Sequence, residues 1–468
     1  MNGSVRNINS LSAAEKWVFL LFSISVILVS QHSLLFLVGM ILLFFLTHFF
    51  FNKSVPPVLF LSGLMGWFFF QGQLIDGLFD ANAVVTDQTI VKRYDVLVIG
   101  FVGVFFFFLG IYLPSRKIKL ISFDELRTFF LKINLNRLLW LYLTIYVGLF
   151  FLGSFIWWYP GLSQPFFALA QFRWSVFFLL FVSVLIQDRF KFILLLLIIL
   201  DVGLSLFSFF STFKEVIYFS FLSYWIFFFR GSVFARAVTT IIVIATFYVG
   251  VYWTAVKADY RDFLNNGTGV QAVRVSRSEA YSKLVELVTK VNPTDFDRGV
   301  DDLVTRLSWV GAFDAVYKYV PSKVPFQEGG LWWEGVTRPF LPRLFFPDKK
   351  ILTDSKELNY YSGLGVEEKN TSISLSMMAG SYVDFGKYGM HVPLFLFGLF
   401  CGWVYRKAMK WGQQPVVGYA LSMPMIYLLN INEQSINRVI SAMVLYLLVL
   451  WFIKRFLLSP IIRFILVR

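Results

Sequence analysis

The chain has 468 residues, of which 57% are apolar, 20% are aromatic and only 15% are charged. Charged residues make up about 25% of an ordinary soluble domain, so this composition excludes a soluble globular protein, a disordered chain and a disulfide-bonded scaffold. A net charge of +14 would suggest nucleic acid as the partner of a soluble protein, so its meaning depends on where the charges lie.

Apolar segments recur along the chain with nearly the length of a membrane helix, which is about 20 residues. We identify twelve such segments, some of them short. They lie near residues 16–30, 33–51, 56–72, 94–113, 138–157, 172–186, 192–209, 215–229, 237–256, 390–405, 415–430 and 438–453. The sequence therefore predicts an all-α polytopic membrane protein with about 12 transmembrane helices. Residues 208–215 either separate two of these helices or continue one long helix.

The basic residues indicate the orientation. If the N-terminus is cytoplasmic, the cytoplasmic loops hold 20 Lys and Arg residues, whereas the short outer loops hold five. The excess of Lys and Arg in cytoplasmic loops favours this orientation, with both termini in the cytoplasm. The surplus positive charge is then a signal of membrane topology, and no nucleic-acid partner is predicted.

One long polar segment, residues 257–389, interrupts the predicted helices. It separates the first nine transmembrane helices, in residues 1–256, from the last three and the cytoplasmic tail, in residues 390–468. We place it outside the membrane as a large, partly helical periplasmic loop. The spacing of its apolar residues predicts amphipathic helices over about 270–288 and 303–317, separated by Asn292-Pro293. We expect these helices to lie against the membrane surface or the helix bundle.

Residues 320–350 combine five prolines with many apolar side chains. The prolines exclude regular helix and central strand, and the apolar content predicts packing, most simply on top of the bundle. Arg338 precedes a proline, which biases its backbone toward an extended conformation. Two guanidinium groups on a stiff segment, Arg338 and Arg343, favour recognition of phosphate or carboxylate. Alternatively, these arginines pair with Glu334 and Asp348 and only hold the segment in place.

Short motifs in this region resemble those of the bacterial oligosaccharide repeat-unit polymerases, the Wzy-type O-antigen polymerase family. Pro339-Phe-Leu-Pro-Arg343, followed by Phe346-Pro-Asp-Lys349, is similar to the family's PR…(W/F)P(D/G)K loop. Asp384-Phe-Gly-Lys-Tyr-Gly389 is similar to its NFG-x-x-G motif, with Asp384 in place of Asn. The detailed likeness covers roughly residues 300–400, and elsewhere it is one of layout.

This resemblance implies a fold similar to the GT-C membrane glycosyltransferases, located in the bacterial inner membrane with the active site facing the periplasm. The implied reaction transfers a growing glycan from undecaprenyl diphosphate to a new lipid-linked repeat unit, as in the biosynthesis of the O-antigen of lipopolysaccharide. The implied partners are the undecaprenyl-diphosphate-linked oligosaccharide, membrane lipid, a chain-length regulator and a flippase. No histidine cluster suggests a divalent metal, so we expect a metal-independent reaction without a cofactor.

Such a reaction needs cations for the leaving diphosphate and a base for the acceptor hydroxyl. The predicted substrate- and diphosphate-binding residues are Arg306, Arg338, Arg343, Lys214, Lys349 and Tyr382. The predicted candidates for the base are Asp384, Glu334 and His391. A structural role is the alternative in each case. For example, Arg306 has Asp302 four residues earlier as a helical pairing partner.

A few charged residues lie inside or near the ends of the apolar segments. Asp201 lies midway along its segment, whereas Asp95, Arg173, Lys214 and Glu215 lie near the outer ends. Charges in such positions mark functional sites by default. The sequence leaves two alternatives open, a polar ring around an outward-facing cavity or simple pairing between helices.

Two other functions share this layout. An O-antigen ligase would use the same donor and a similar cavity, but would transfer the polymer to a lipid core. A transporter of polysaccharide or lipid-linked glycan would show an internal repeat and broken helices near mid-membrane, and we find no clear six-plus-six repeat. The PR…FPDK loop favours the polymerase.

We predict that Arg338→Ala and Arg343→Ala each abolish chain growth while the protein still inserts and folds. The measurement is the ladder of glycan lengths in cells that carry each variant, with the amount of membrane-inserted protein as the control. Ladders like those of the wild type from both variants would contradict the assignment.

Overall fold

A computed structural model describes residues 13–29, 32–53, 55, 57–79, 92–156, 159–206, 213–267, 273–307, 310–341, 346, 349, 354–365 and 373–466. All regular elements in this part of the chain are helical. The only β-type contact within these ranges is an isolated bridge between Ile133 and Leu466.

The described ranges contain 22 α-helices. In chain order they are α1 (Ala13–Val29), α2 (Ser33–Phe50), α3 (Val58–Phe79), α4 (Tyr94–Ser115), α5 (Phe123–Leu131), α6 (Leu135–Ile156), α7 (Ser163–Ala170), α8 (Arg173–Gln187), α9 (Lys191–Leu206), α10 (Phe213–Phe228), α11 (Val233–Leu264), α12 (Arg277–Thr289), α13 (Pro293–Leu307), α14 (Val310–Tyr319), α15 (Gly330–Thr337), α16 (Asp354–Ser362), α17 (Met377–Gly389), α18 (His391–Trp411), α19 (Pro415–Ser422), α20 (Met425–Leu428), α21 (Ile436–Phe452) and α22 (Leu458–Ile465).

Six helical segments of the described chain are long and apolar enough to cross a membrane. They are Ser33–Phe50, Tyr94–Ser115, Leu135–Gly153, Ser163–Gln187, Val233–Leu264 and Ile436–Ile465. A helix satisfies its own backbone hydrogen bonds, as the bilayer interior requires. The prediction of an all-α membrane protein is thus confirmed, whereas the number of twelve spans stays a prediction.

Three of the predicted spans can be compared with the structure. Helix α9 ends at Leu206, α10 begins at Phe213, and the two helices pack against each other. Residues 207–212 lie outside the described part of the chain, so the alternatives for the connection at 208–215 stay a prediction. The predicted span at 415–430 is broken, because α19 ends at Ser422 and α20 begins at Met425, directly after Pro424. A proline cannot continue the helix that precedes it without losing a backbone hydrogen bond.

The most extensive helix contact in the described chain is between α4 and α18. Gly398 and Gly402 lie one turn apart on α18 and face the backbone of α4. A Cβ atom at Gly398 would overlap the carbonyl oxygen of Phe107, and one at Gly402 would overlap that of Ile111. Small residues at this spacing let two membrane helices approach until their backbones touch. This contact fixes α18 and the outer helix α17 that leads into it.

The helices of the predicted outer segment pack on the bundle, as expected. Helices α12 and α13 contact α11, and α14 contacts α4. The break predicted at Asn292-Pro293 is confirmed, since α12 ends at Thr289 and α13 begins at Pro293. One detail differs from the prediction, because α11 continues past residue 256 to Leu264. The helix expected over 303–317 corresponds to the end of α13 and to most of α14, and residues 308–309 between them lie outside the described part of the chain.

The prediction that the prolines exclude helix from residues 320–350 is wrong for residues 330–340. Helix α15 fits between Pro325 and Pro339, and Arg338 has helical backbone angles (φ −57°, ψ −39°) instead of the predicted extended ones. Pro339 occupies the start of a short 3₁₀ turn, where its missing N–H is not needed. The bias of a pre-proline residue is therefore outweighed by the packing of α15 on α17 and α21.

We predict that Gly398→Ala lowers the stability of the folded protein, because the added methyl group forces α4 and α18 apart. Overpacking of this kind costs about 1–3 kcal/mol. Gly148→Ala is the matched control, since an added Cβ there meets nothing within 4 Å. The measurement is the midpoint of thermal unfolding in detergent. Equal midpoints for the two variants would contradict this role of the glycine contact.

Candidate functional site

The carboxylate of Asp384 on α17 holds the start of α15. Its Oδ1 accepts a hydrogen bond from the backbone N–H of Leu331 (3.1 Å), and its Oδ2 accepts one from that of Trp332 (2.8 Å). The residue is 2% exposed. Burial raises the pKa of Asp384, although the two N–H donors act in the opposite direction. A negative charge at a helix N-terminus also interacts favourably with the helix dipole, so Asp384 anchors and orients α15.

Further contacts fix the same helix. The indole Nε1 of Trp332 donates to Ser381 Oγ (3.0 Å), and the backbone N–H of Gln327, three residues before α15, donates to the carbonyl of Val383 (3.0 Å). Gly386 breaks the helical geometry of α17 with φ 67°, a conformation that glycine adopts without strain. Helix α15 thereby sits on α17 as one rigid unit.

Tyr382 is a buried structural residue of α17. Its hydroxyl donates to the carbonyls of Val320 (2.8 Å) and Tyr317 (3.3 Å), at the end of α14. Burial raises the pKa of Tyr382 to about 12, so this phenol stays protonated and continues to donate. The predicted contact of Tyr382 with substrate stays a prediction, and the observed contacts join α14 to α17.

Three of the predicted site residues come together at the end of α15. Arg338 Nη1 lies 3.1 Å from Glu334 Oε1, and the Arg338 side chain is 12% exposed. Lys349 Nζ donates to the carbonyl oxygens of Arg338 (2.6 Å) and Leu341 (2.8 Å). The pairing of Arg338 with Glu334 is the arrangement that the sequence offered as the alternative to ligand binding. It also holds the guanidinium in one position.

An apolar surface adjoins this basic group. Trp333 and Phe340 are each 72% exposed, and Val336 and Leu341 are also exposed. These four residues, which we call the α15 surface, lie within the same short segment as Arg338. Exposed apolar side chains close together in the sequence can mark a contact with lipid, ligand or another protein.

The other predicted residues lie elsewhere. His391 begins α18, where its ring stacks on Phe106 of α4 with centroids 5.6 Å apart. Lys214 is exposed in the first turn of α10. Arg306 belongs to α13, but its side chain lies outside the described part of the chain, as do Arg343 and Asp348. The sequence predictions for these three side chains are therefore untested.

The charges inside the apolar helices form a second cluster. Arg173 Nη1 lies 3.7 Å from Asp201 Oδ1, and Nη2 lies 3.9 Å from Glu215 Oε2. The hydroxyl of Tyr146 donates to Asp201 Oδ1 (3.1 Å). Of the two alternatives, the structure therefore shows pairing between helices for these residues. Asp95 is not part of this cluster and pairs with Lys387 (2.8 Å).

A cavity of about 230 Å³ lies between α3 and the linker that joins α20 to α21. The linker contributes Asn430, Asn432 and Glu433 to its wall. The sequence analysis missed these residues. The signal that could have found them is the polar run Asn430-Ile-Asn-Glu-Gln434 between two apolar segments.

Within the described ranges, no group of three or more His, Cys, Asp or Glu side chains is arranged to hold a metal ion. The expected absence of a metal stays a prediction.

Comparison with known proteins places the chain in one family. A family model described as a domain of unknown function (DUF8712) matches residues 120–463. The chain belongs to this family. The matched region extends from just before α5 into α22. It therefore includes α15, the linker that joins α20 to α21, and the cluster of Arg173, Asp201 and Glu215, which we call the Arg173 cluster. No curated protein and no solved structure matches the chain, so the resemblance to repeat-unit polymerases stays a prediction.

We predict that Asp384→Asn lowers the thermal stability of the protein. An amide offers one acceptor oxygen, so one of the two N–H groups at the start of α15 loses its partner, at a cost of about 1–3 kcal/mol. Asp301→Asn on the exposed face of α13 is the control. The measurement is again the unfolding midpoint. A variant with normal stability but no chain growth would instead support Asp384 as the base.

Proposed function

We propose that the protein is a GT-C-like glycosyltransferase with about twelve transmembrane helices, located in the bacterial inner membrane with both termini in the cytoplasm. In this proposal it polymerises undecaprenyl-diphosphate-linked repeat units into surface polysaccharide at its periplasmic face. The observation that carries the proposal is the position of Arg338, a fixed cation beside the exposed apolar α15 surface.

A polyprenyl diphosphate has an anionic head and a long apolar chain. Its recognition therefore needs a cation and an apolar surface next to each other. Arg338 offers the planar donor geometry that suits phosphate oxygens, and Trp333 and Phe340 offer apolar area in the same segment. A ligand with only one of these two features would contact either the cation or the apolar residues, but not both.

The setting of Arg338 also suits transition-state stabilisation. Preorganised charges are more effective than mobile ones, because they need no reorganisation during the reaction. The anchoring of α15 by Asp384, its packing on α21 and the pairing with Glu334 all restrict the guanidinium.

The proposed chemistry assigns two roles. The bond between the sugar C1 and the diphosphate oxygen breaks, and the diphosphate leaves with the electron pair next to Arg338. A bond forms between C1 and the acceptor oxygen, whose proton passes to a carboxylate. Glu334 is the favoured base, because it is partly exposed beside Arg338, whereas both oxygens of Asp384 already accept backbone hydrogen bonds.

Deletion of the gene in the source organism tests the type of reaction. For a polymerase, we expect surface glycan with a single repeat unit and no ladder of longer chains. A ligase would leave long polymers on undecaprenyl diphosphate. A transporter would leave lipid-linked repeat units on the cytoplasmic side. Either of the last two outcomes would overturn the proposal.

The contribution of Arg338 can be measured with purified protein and lipid-linked repeat units from the deletion strain. We expect Arg338→Ala to lower the rate of chain growth about 10²–10³-fold, the usual effect of removing one preorganised charge. Arg298→Ala is the matched control, because Arg298 also pairs with an acid on its own helix, Asp295, but lies on α13. Equal losses in both variants would argue against a specific role of Arg338.

A further inference from the structure

A group of cations lies at the end of the bundle opposite α15. Helices α4 and α18 run in the same direction, because Gly398 of α18 faces Phe107 of α4 and Gly402 faces Ile111. Arg406, one turn after Gly402, is therefore level with the last turn of α4, which is one of the membrane-spanning helices. The cations that follow on α18 thus lie where α4 leaves the membrane.

These cations share one face of α18 with two tryptophans. Helical spacing places on this face Trp403, Arg406, Lys407, Lys410 and Trp411. The Nζ of Lys407 lies 5.1 Å from the ring centroid of Trp403 and 5.6 Å from that of Trp411. Tryptophan is enriched at the membrane–water interface, which agrees with the level of this face in the membrane.

A second helix brings further cations to the same place. A π-helical turn, Ile453–Leu457, follows α21 directly and carries Lys454 and Arg455. The Nζ of Lys454 lies 5.8 Å from the ring centroid of Trp411, so Lys407 and Lys454 lie against the same indole. Short π-helical turns inside α-helices frequently occur at functional sites.

The cations from the two helices form one basic cluster. We give this name to Arg406, Lys407, Lys410, Lys454 and Arg455. Within the described ranges, no ion pair includes any of them. The only acidic residue in the sequence from 391 to 468 is Glu433, which precedes α21 and therefore lies at its opposite end. Each Lys or Arg at a membrane surface strengthens the binding of anionic lipid about fivefold.

The surroundings of the basic cluster decide between ligand classes. Leu448, Trp451 and Phe452, in the last two turns of α21, are 56%, 50% and 45% exposed. A soluble polyanion would contact the cations but not these apolar side chains. A zwitterionic lipid carries an ammonium group that the lysines repel. We propose that the basic cluster binds the phosphate headgroup of an anionic glycerophospholipid between Lys407 and Lys454, with the acyl chains along the end of α21.

This lipid site goes beyond the proposed function and does not depend on it. It joins the ends of α18 and α21 that lie away from α15. The opposite ends of the same two helices hold the candidate functional site, because α17 leads into α18 and α15 packs on α21. A lipid bound at the basic cluster would therefore stabilise the two helices that position Arg338.

Native mass spectrometry of the purified full-length protein in detergent tests the site. The probe is dioleoyl phosphatidylglycerol, and dioleoyl phosphatidylcholine is the comparison. We expect the wild type to bind the first phosphatidylglycerol at least about 10-fold more tightly than the first phosphatidylcholine. The double variant Lys407→Gln/Lys454→Gln should bind phosphatidylglycerol about 25-fold more weakly, because it loses two cations that each contribute about fivefold.

The matched control is Arg189→Gln/Lys191→Gln, which removes the same charge at the same end of the bundle. These two residues follow Gln187, whose Nε2 donates to the carbonyl of Ile133 (2.9 Å), and Ile133 pairs with Leu466 just after α22. The control should bind phosphatidylglycerol like the wild type. Equal weakening in both double variants, or equal binding of the two lipids by the wild type, would overturn the site.

A conservative variant and a soluble probe complete the test. Lys407→Arg/Lys454→Arg keeps both charges and should keep the affinity, and a loss of affinity here as large as in the glutamine variant would overturn the role of charge. Glycerophosphoglycerol, the headgroup without its acyl chains, should not displace the lipid, and full displacement would overturn the lipid assignment. If lipid binding follows the expected pattern but the deletion strain keeps its glycan ladder, the polymerase proposal fails and the lipid site stands.

Discussion

The close contact between α4 and α18 is the constraint on which the rest of the structure depends. Two apolar helices gain little from the hydrophobic effect inside a bilayer, so their association depends on direct packing. Gly398 and Gly402 supply it, since they let the backbone of α18 approach the carbonyl oxygens of α4. Helix α17 leads directly into α18, so this contact also determines the position of α17 and of the outer helices that pack on it.

The helices of the outer segment are held in place by hydrogen bonds between buried polar groups. Asp384 meets two N–H groups of α15, which no residue of α15 itself could satisfy. The hydroxyl of Tyr382 donates its one proton to the carbonyl of Val320 after α14, and the carbonyl of Tyr317 makes a second, longer contact with it. Each bond removes the cost of a buried unpaired group and at the same time fixes a helix. The result is a rigid platform that carries Arg338 and Glu334, with the exposed α15 surface beside them.

Charge is distributed among three distinct environments. The Arg173 cluster neutralises part of the charge within apolar helices, where an unpaired ion is costly. Arg338 and Glu334 pair at a partly exposed end of α15. The linker that joins α20 to α21 instead places Asn430, Asn432 and Glu433 beside apolar side chains of α3 in the wall of the cavity.

The sequence by itself determined the helical membrane class, the break at Asn292-Pro293 and the candidates Arg338, Glu334 and Lys349, because hydropathy, proline and charge act locally along the chain. The sequence prediction was wrong at α15, because tertiary packing outweighed the extended backbone that Pro339 favours at Arg338. Only the tertiary structure decided that Asp384 anchors a helix, that Arg173 is shared by Asp201 and Glu215, and that Asn432 and Glu433 face a cavity. Each of these facts depends on residues that are distant in the chain, and hydropathy and spacing carry no information about such pairs.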